Sequence, residues 1–172
     1  MATIVASRLN MKVADEVWVA TAMLHQRQPE RGDFSVEEIM EFARTARELR
    51  VLGPLRPGFY VHVIQHCVAN RPPNPGRYRM LLETAPSRRR LFRPGDSYDP
   101  LREGAKISPK SEELPENWFR GLLSWYRDTW CAEASRRARD EDPLLALYGS
   151  GKDLWADEHT DEYIRRLREG WE

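Results

Sequence analysis

FYVHVIQHCVANRPPNPGRYRMLLETAPSRRRLFR, residues 59–93, is the stretch whose reading decides the fold. Its opening run is apolar almost throughout, which predicts a helix from about Gly58 to Ala69 buried around most of its circumference. Only His62, Gln65 and His66 interrupt it, and their spacing near i, i+3, i+4 puts them on one face. The loop that follows, Arg71 to Gly76, cannot continue a helix, because its prolines lack the N–H and lock φ. Beyond it, Tyr78 to Thr84 and Arg90 to Arg93 read as two short strands around the turn APSR.

Upstream, Val13, Val17, Ala20 and Leu24 recur at helical spacing beside Trp18 and Thr21, predicting a first helix from Lys12 to about Gln28 that stops before Pro29. After the turn RGDF, Ser35 and Glu38 make an S-x-x-E capping box. It opens a second helix to about Leu49, with Val36, Ile39, Met40, Phe42 and Ala43 on its apolar side. Gly53, Pro54 and Pro57 punctuate the connection to residue 58. Three helices followed by a basic hairpin is the order of a winged helix-turn-helix domain, expected over residues 11–106 after a frayed segment 1–10.

Downstream, residues 94–114 are rich in Pro, Gly, Ser and charge and read as an irregular connector. Pro115 is well placed to open a fourth, long helix to about Arg139, carrying a stripe of Trp118, Leu122, Trp125, Tyr126 and Trp130. A stripe of that size needs cover, either from the chain's own domain or from a second copy, which makes residues 115–139 a candidate homodimer contact. The segment 107–148 is therefore connector plus amphipathic helix. Residues 149–172 form a tail: a Gly-Ser-Gly hinge, the anchor Leu154–Trp155, and a short amphipathic helix with Tyr163, Ile164, Leu167 and Trp171 on one side. Thr160 is its candidate N-cap, Asp161 and Glu162 fall in its first turn, and Arg165, Arg166 and Arg168 come toward its end. Helices this short are marginal alone and need a surface. The expected fold class is mainly α with a small β-hairpin.

Of the 172 residues 31% are charged, and mean hydropathy is −0.69. No apolar run reaches the length of a membrane span and no export leader is evident, so the expectation is a cytoplasmic chain with no membrane partner. Cys67 and Cys131 have no metal-ligand spacing and imply no disulfide framework. The net charge of zero conceals an asymmetry. From Arg56 to Arg93 eight arginines face Glu83 alone, a sum of +7, whereas from Asp140 to Glu172 ten acids face four bases, a sum of −6. The basic centre points to a polyanion and the acidic tail to a different partner.

On the third helix, His62, Gln65 and His66 are either base-reading residues in the major groove or the solvent-facing side of a buried helix. The i, i+4 histidines lack the Glu that a zinc-protease helix places directly after its first His; Val63 stands there, Cys67 is rotated to the apolar side, and no metal is expected. The hairpin says more. Arg88, Arg89 and Arg90 at its tip, with Arg77, Arg79 and Arg93 beside them and Arg56 and Arg71 in the adjoining loops, are arginine without lysine, which suits phosphate recognition. No nucleophile with its base, phosphate loop or paired-carboxylate motif stands out, so neither enzymatic activity nor a cofactor is expected.

The tail, GSGKDLWADEHTDEYIRRLREGWE, resembles the C-terminal segments of bacterial antitoxins of the virulence-associated B type, whose partners are PIN-domain ribonucleases. The likeness spans about the last thirty residues. Residues 11–106 resemble a little-characterised bacterial winged helix domain, most recognisably in HCVANRPPNPGRYRM. The resemblance implies a toxin inhibitor that represses its own promoter. It implies a toxin-binding set of Leu154, Trp155, Tyr163, Ile164, Arg165, Arg166, Leu167, Arg168 and Trp171, with one of the three arginines entering the toxin's acidic metal cluster. Typical members are shorter and use a small β-rich or ribbon-helix-helix module. The alternative is a stand-alone winged helix regulator whose C-terminal helices serve dimerisation.

Overall fold

A computed structural model of the chain describes residues 11–50, 53–114 and 117–133, together with Arg165, Arg168 and Glu169. The chain divides into two compact units, Met1–Cys131 and Ala132–Glu172. The first is built around helix α1, Val13–Arg27, which stops at Gln28, one residue before Pro29. The sequence predicts an amphipathic helix, yet every residue from Ala14 to His25 is buried. Its polar residues survive there because they are bonded: Asp15 to Lys106, Glu16 to Arg56, and the Thr21 hydroxyl to the Val17 carbonyl.

Strand β1, Phe34–Ser35, runs directly into α2, Val36–Thr45. The capping box forms as its sequence requires: Ser35 Oγ accepts from the Glu38 N–H and the Glu38 carboxylate accepts from the Ser35 N–H. The second helix is not continuous to Leu49. Ala46 adopts an extended conformation, and a separate turn α3, Arg47–Arg50, follows, with Leu49 buried.

The third helix is shorter and wider than its sequence predicts. Gly58, in the left-handed region at φ 87°, leads into α4, Phe59–Val61, which continues as a π-helical turn, His62–His66, closed by the Cys67 N–H on the His62 carbonyl at 3.0 Å. It ends at His66 rather than Ala69, because the backbone beyond it pairs with the start of the hairpin. The Cys67 carbonyl accepts from Met80 and Leu81 N–H, and Ala69 N–H donates to the Leu81 carbonyl at 2.7 Å.

The hairpin is β2, Leu81–Ala85, and β3, Arg88–Leu91, antiparallel, with a register shift between Glu83 and Ala85 and Ser87 at φ 56° in the turn. β1 adds to the free edge of β3, Phe34 opposite Arg89, so the sheet order is β1-β3-β2. The helix α5, Asn117–Trp125, passes into a second π-helical stretch, Tyr126–Cys131. Phe119, Leu122, Tyr126 and Trp130 are buried in their own unit. Tyr126 meets Trp18 edge-on at 5.4 Å and donates its hydroxyl to the Phe92 carbonyl at 2.6 Å, and Trp130 lies 4.1 Å from the His25 ring. Three of the stripe's five residues are thus covered from within. The remainder of the expected helix to Arg139, and the side chain of Trp118, lie outside the described residues. Among those described, no helix is long and apolar enough to cross a membrane.

Candidate nucleic-acid interface

The α4 segment and the hairpin bring most of the expected basic set into one region. Tyr60 and Val61 are exposed at 53% and 40%, while His62, Gln65 and His66 are half-buried. His62 Nδ1 lies 2.9 Å from the Gly58 carbonyl, an acceptor only, so Nδ1 carries the hydrogen. Gln65 Nε2 donates to the Pro72 carbonyl at 2.7 Å. His66 stands edge-on to His62 with ring centroids 4.8 Å apart; burial first, then the neighbouring His62, lowers its pKa. A Cβ at Gly76 would sit 2.8 Å from the Cβ of His66, so the proline-rich loop packs against this helix only because residue 76 is glycine.

Holding that loop is a residue sequence reasoning left in the connector. Arg102, on a short 3-10 turn Pro100–Arg102, is fully buried. Its guanidinium donates to the carbonyls of Arg71 at 2.7 Å, Tyr78 at 2.7 Å, His66 at 2.8 Å, Gln65 at 2.9 Å and Pro72 at 3.4 Å. A guanidinium has five N–H donors in a planar fork, and here the fork ties the end of the helix to the loop from both sides.

The arginines expected at the hairpin do not stand bare. Arg71 makes paired bonds to Glu83 at 2.6 and 2.7 Å and reaches the Ile64 carbonyl. Arg89, 2% exposed, shares Glu83 at 3.1 Å and donates to the Val63 carbonyl. Arg88 bonds Asp33 at 2.7 Å, and the Thr84 hydroxyl holds the same carboxylate at 2.6 Å. Arg90 is gripped by both oxygens of Asp96, each at 2.7 Å. Arg56 pairs with Glu16, Arg79 lies over the Tyr98 ring at 4.2 Å, and Arg93 lies over Trp130 at 3.9 Å. Arg77 is exposed. The reading that Glu83 alone balances this hairpin is corrected: Asp33 and Asp96 come from outside it. Between Arg71 and Arg93, Arg71 and Arg89 share Glu83, Arg88 holds Asp33 and Arg90 holds Asp96. Arg88 first, then Thr84, lowers the pKa of Asp33, and Arg71 first lowers that of Glu83.

Arg165 and Arg168 are helical and exposed. The other tail residues expected to bind a toxin, Leu154, Trp155, Tyr163, Ile164, Arg166, Leu167 and Trp171, lie outside the described residues. Among the described residues no group of three or more His, Cys, Asp or Glu is arranged to hold a metal ion, and Cys67 is fully buried with its thiol pushed above its ordinary range by desolvation. Asp33 was missed because its partner Arg88 lies 55 residues away, and Asp96 and Arg102 because they fall in the segment 94–114 read as an irregular connector. No family model, curated protein or solved structure matches this chain.

Proposed function

We propose that the chain is an antitoxin of a type II toxin-antitoxin pair. Its winged helix-turn-helix domain binds operator DNA and represses its own promoter, and its tail inhibits a PIN-domain ribonuclease. The observation that carries the DNA-binding half is the succession helix, strand, helix, helical turn, helix, strand, strand with the first strand added to β3 in the order β1-β3-β2. That topology supports a winged helix in which α4 and its π-helical turn are the reading element and the β2–β3 hairpin is the wing. Arg77, the exposed member of the arginines between Arg71 and Arg93, supplies attraction for phosphate.

The inhibitory half rests on the tail's resemblance to virulence-associated B antitoxins and is supported by the division of the chain at Cys131. Arginines entering a cluster of carboxylates make paired, charge-assisted bonds and exclude metal or RNA. Two measurements test the reading together. Full-length protein binds a duplex from upstream of its own gene, and its co-expression with the nuclease encoded beside it restores growth. A chain ending at Gly149 keeps the first property and loses the second. Full protection by the shortened chain refutes the tail's role, and an absence of duplex binding at low salt refutes the winged helix role.

A further inference from the structure

Among the polar residues of α4 and its π-helical turn, half-buried His62 and Gln65 lie within one turn of each other. Each is a donor and acceptor in its free form; the ring N–H of His62 and one of the two amide N–H groups of Gln65 are engaged by their own chain. The Gly58 carbonyl can only accept, so the His62 hydrogen sits on Nδ1 and Nε2 keeps its lone pair. The Pro72 carbonyl likewise fixes the orientation of the Gln65 amide, leaving Oε1 and the second N–H. Neither arrangement is accidental to the fold. Gly58 aims its carbonyl from a left-handed conformation, and Pro72 is held in the loop that Arg102 clamps through the carbonyls of Arg71, Pro72 and Tyr78.

We propose that this face reads exocyclic amino groups of bases, through His62 Nε2 and Gln65 Oε1 as acceptors. In the major groove the hydrogen-bond donors are the N6 amine of adenine and the N4 amine of cytosine; guanine presents N7 and O6, both acceptors. The His62 Nε2 lone pair meets guanine acceptor to acceptor and is repelled. The sequence alone allowed a Gln–adenine bidentate contact and a His–guanine contact; the bond from Nδ1 to the Gly58 carbonyl removes the second. Because the two residues share a turn, the amines they take lie on the same or adjacent base pairs. The proposal rests on the DNA-binding reading above and narrows it to a class of base.

The test uses the full chain and a duplex enriched from a randomised pool. Each adenine of that duplex is replaced in turn by purine lacking the 6-amino group, and each cytosine by 2-pyrimidinone lacking the 4-amino group; the two arms tell which amine is read. Loss of one amine at one or two neighbouring positions weakens binding by roughly 10-fold. His62→Ala abolishes sensitivity at its own position, and His62→Arg, which restores a donor, turns selection there toward guanine. Selection centred on guanine by the unaltered chain, with no response to amine removal, overturns the proposal while leaving DNA binding intact. Failure of any duplex to enrich overturns both.

Discussion

Arg102 Nη1 donates to the carbonyl of His66 at 2.8 Å across a sequence separation of 36 residues. The same guanidinium bonds the carbonyls of Gln65, Arg71, Pro72 and Tyr78, all in a site closed to solvent. Arg102→Met keeps an apolar stem and strands those acceptors, and is expected to lower stability by more than about 3 kcal/mol. Arg102→Lys keeps the charge without the fork and recovers only part. Urea midpoints at unchanged slope measure both.

Arg89 and Arg77 separate the structural arginines from the solvent-facing one. Arg89→Ala leaves Glu83 short of a partner beneath the sheet and is expected to cost about 3 kcal/mol of stability. Arg77→Ala leaves thermal unfolding unchanged but weakens duplex binding for all sequences and reduces its salt slope by about one unit. Equal loss of stability in both variants would contradict the division. Replacing Arg88, Arg89 and Arg90 together is a poor probe of DNA contact, since it also removes the pairs to Asp33, Glu83 and Asp96.

Acid should loosen the first unit through His25. Burial lowers its pKa from 6.5 to about 3, with Arg93 and Arg90 adding repulsion, so the unfolded chain takes up a proton that the fold refuses. Stability is then full above about pH 6.5 and falls as pH drops toward 3, with a slope of up to about 1.4 kcal/mol per unit. Glu38, lowered from 4.5 to about 2 by Arg31 and then by the Ser35 N–H, adds its own loss between those values. Asp15, raised by burial, takes its proton earlier in the fold and partly offsets the decline. His25→Gln keeps an acceptor for the Leu91 N–H without titrating, and should flatten the urea-measured pH profile between about pH 6.5 and 4.5.

Gly58 sets the position of the carbonyl that meets His62 Nδ1 from a left-handed conformation. Gly58→Ala forces φ 87° on a residue with a Cβ, at a cost of about 1–2 kcal/mol. The added methyl would lie 3.9 Å from His62 Nδ1, ordinary contact, so the loss comes from backbone strain and not from collision. Thermal unfolding gives the loss; the nitrogen chemical shifts of His62 report whether Nδ1 still carries the hydrogen.

What could be read in advance was what short-range physics determines. The capping box at Ser35 and Glu38, the stop of α1 ahead of Pro29 and the hairpin around Pro86–Ser87 all follow from residues within a few positions of one another. Two-residue β1 carries no period to detect, and it exists only because β3 offers it an edge. The pairing of Asp33 with Arg88 spans 55 residues, so counting charge along the chain overstated what the hairpin has left for a ligand. The wide winding at His62–His66 was also hidden, because the apolar run predicts helix without predicting its pitch. Arg102 looked like one more charge in a loop; its burial is a property of the closed fold.

The carboxylate of Asp33 that bonds both Arg88 and Thr84 gives the hairpin an occupant before any ligand arrives. On the proposed reading, a phosphate competing for the same Arg88 nitrogens displaces that resident acid, trading one anion for another instead of filling an empty seat. The exchange would free the turn ahead of β1 as it engages the strand terminus. A nucleic acid gripping this edge would therefore be felt at the root of α2.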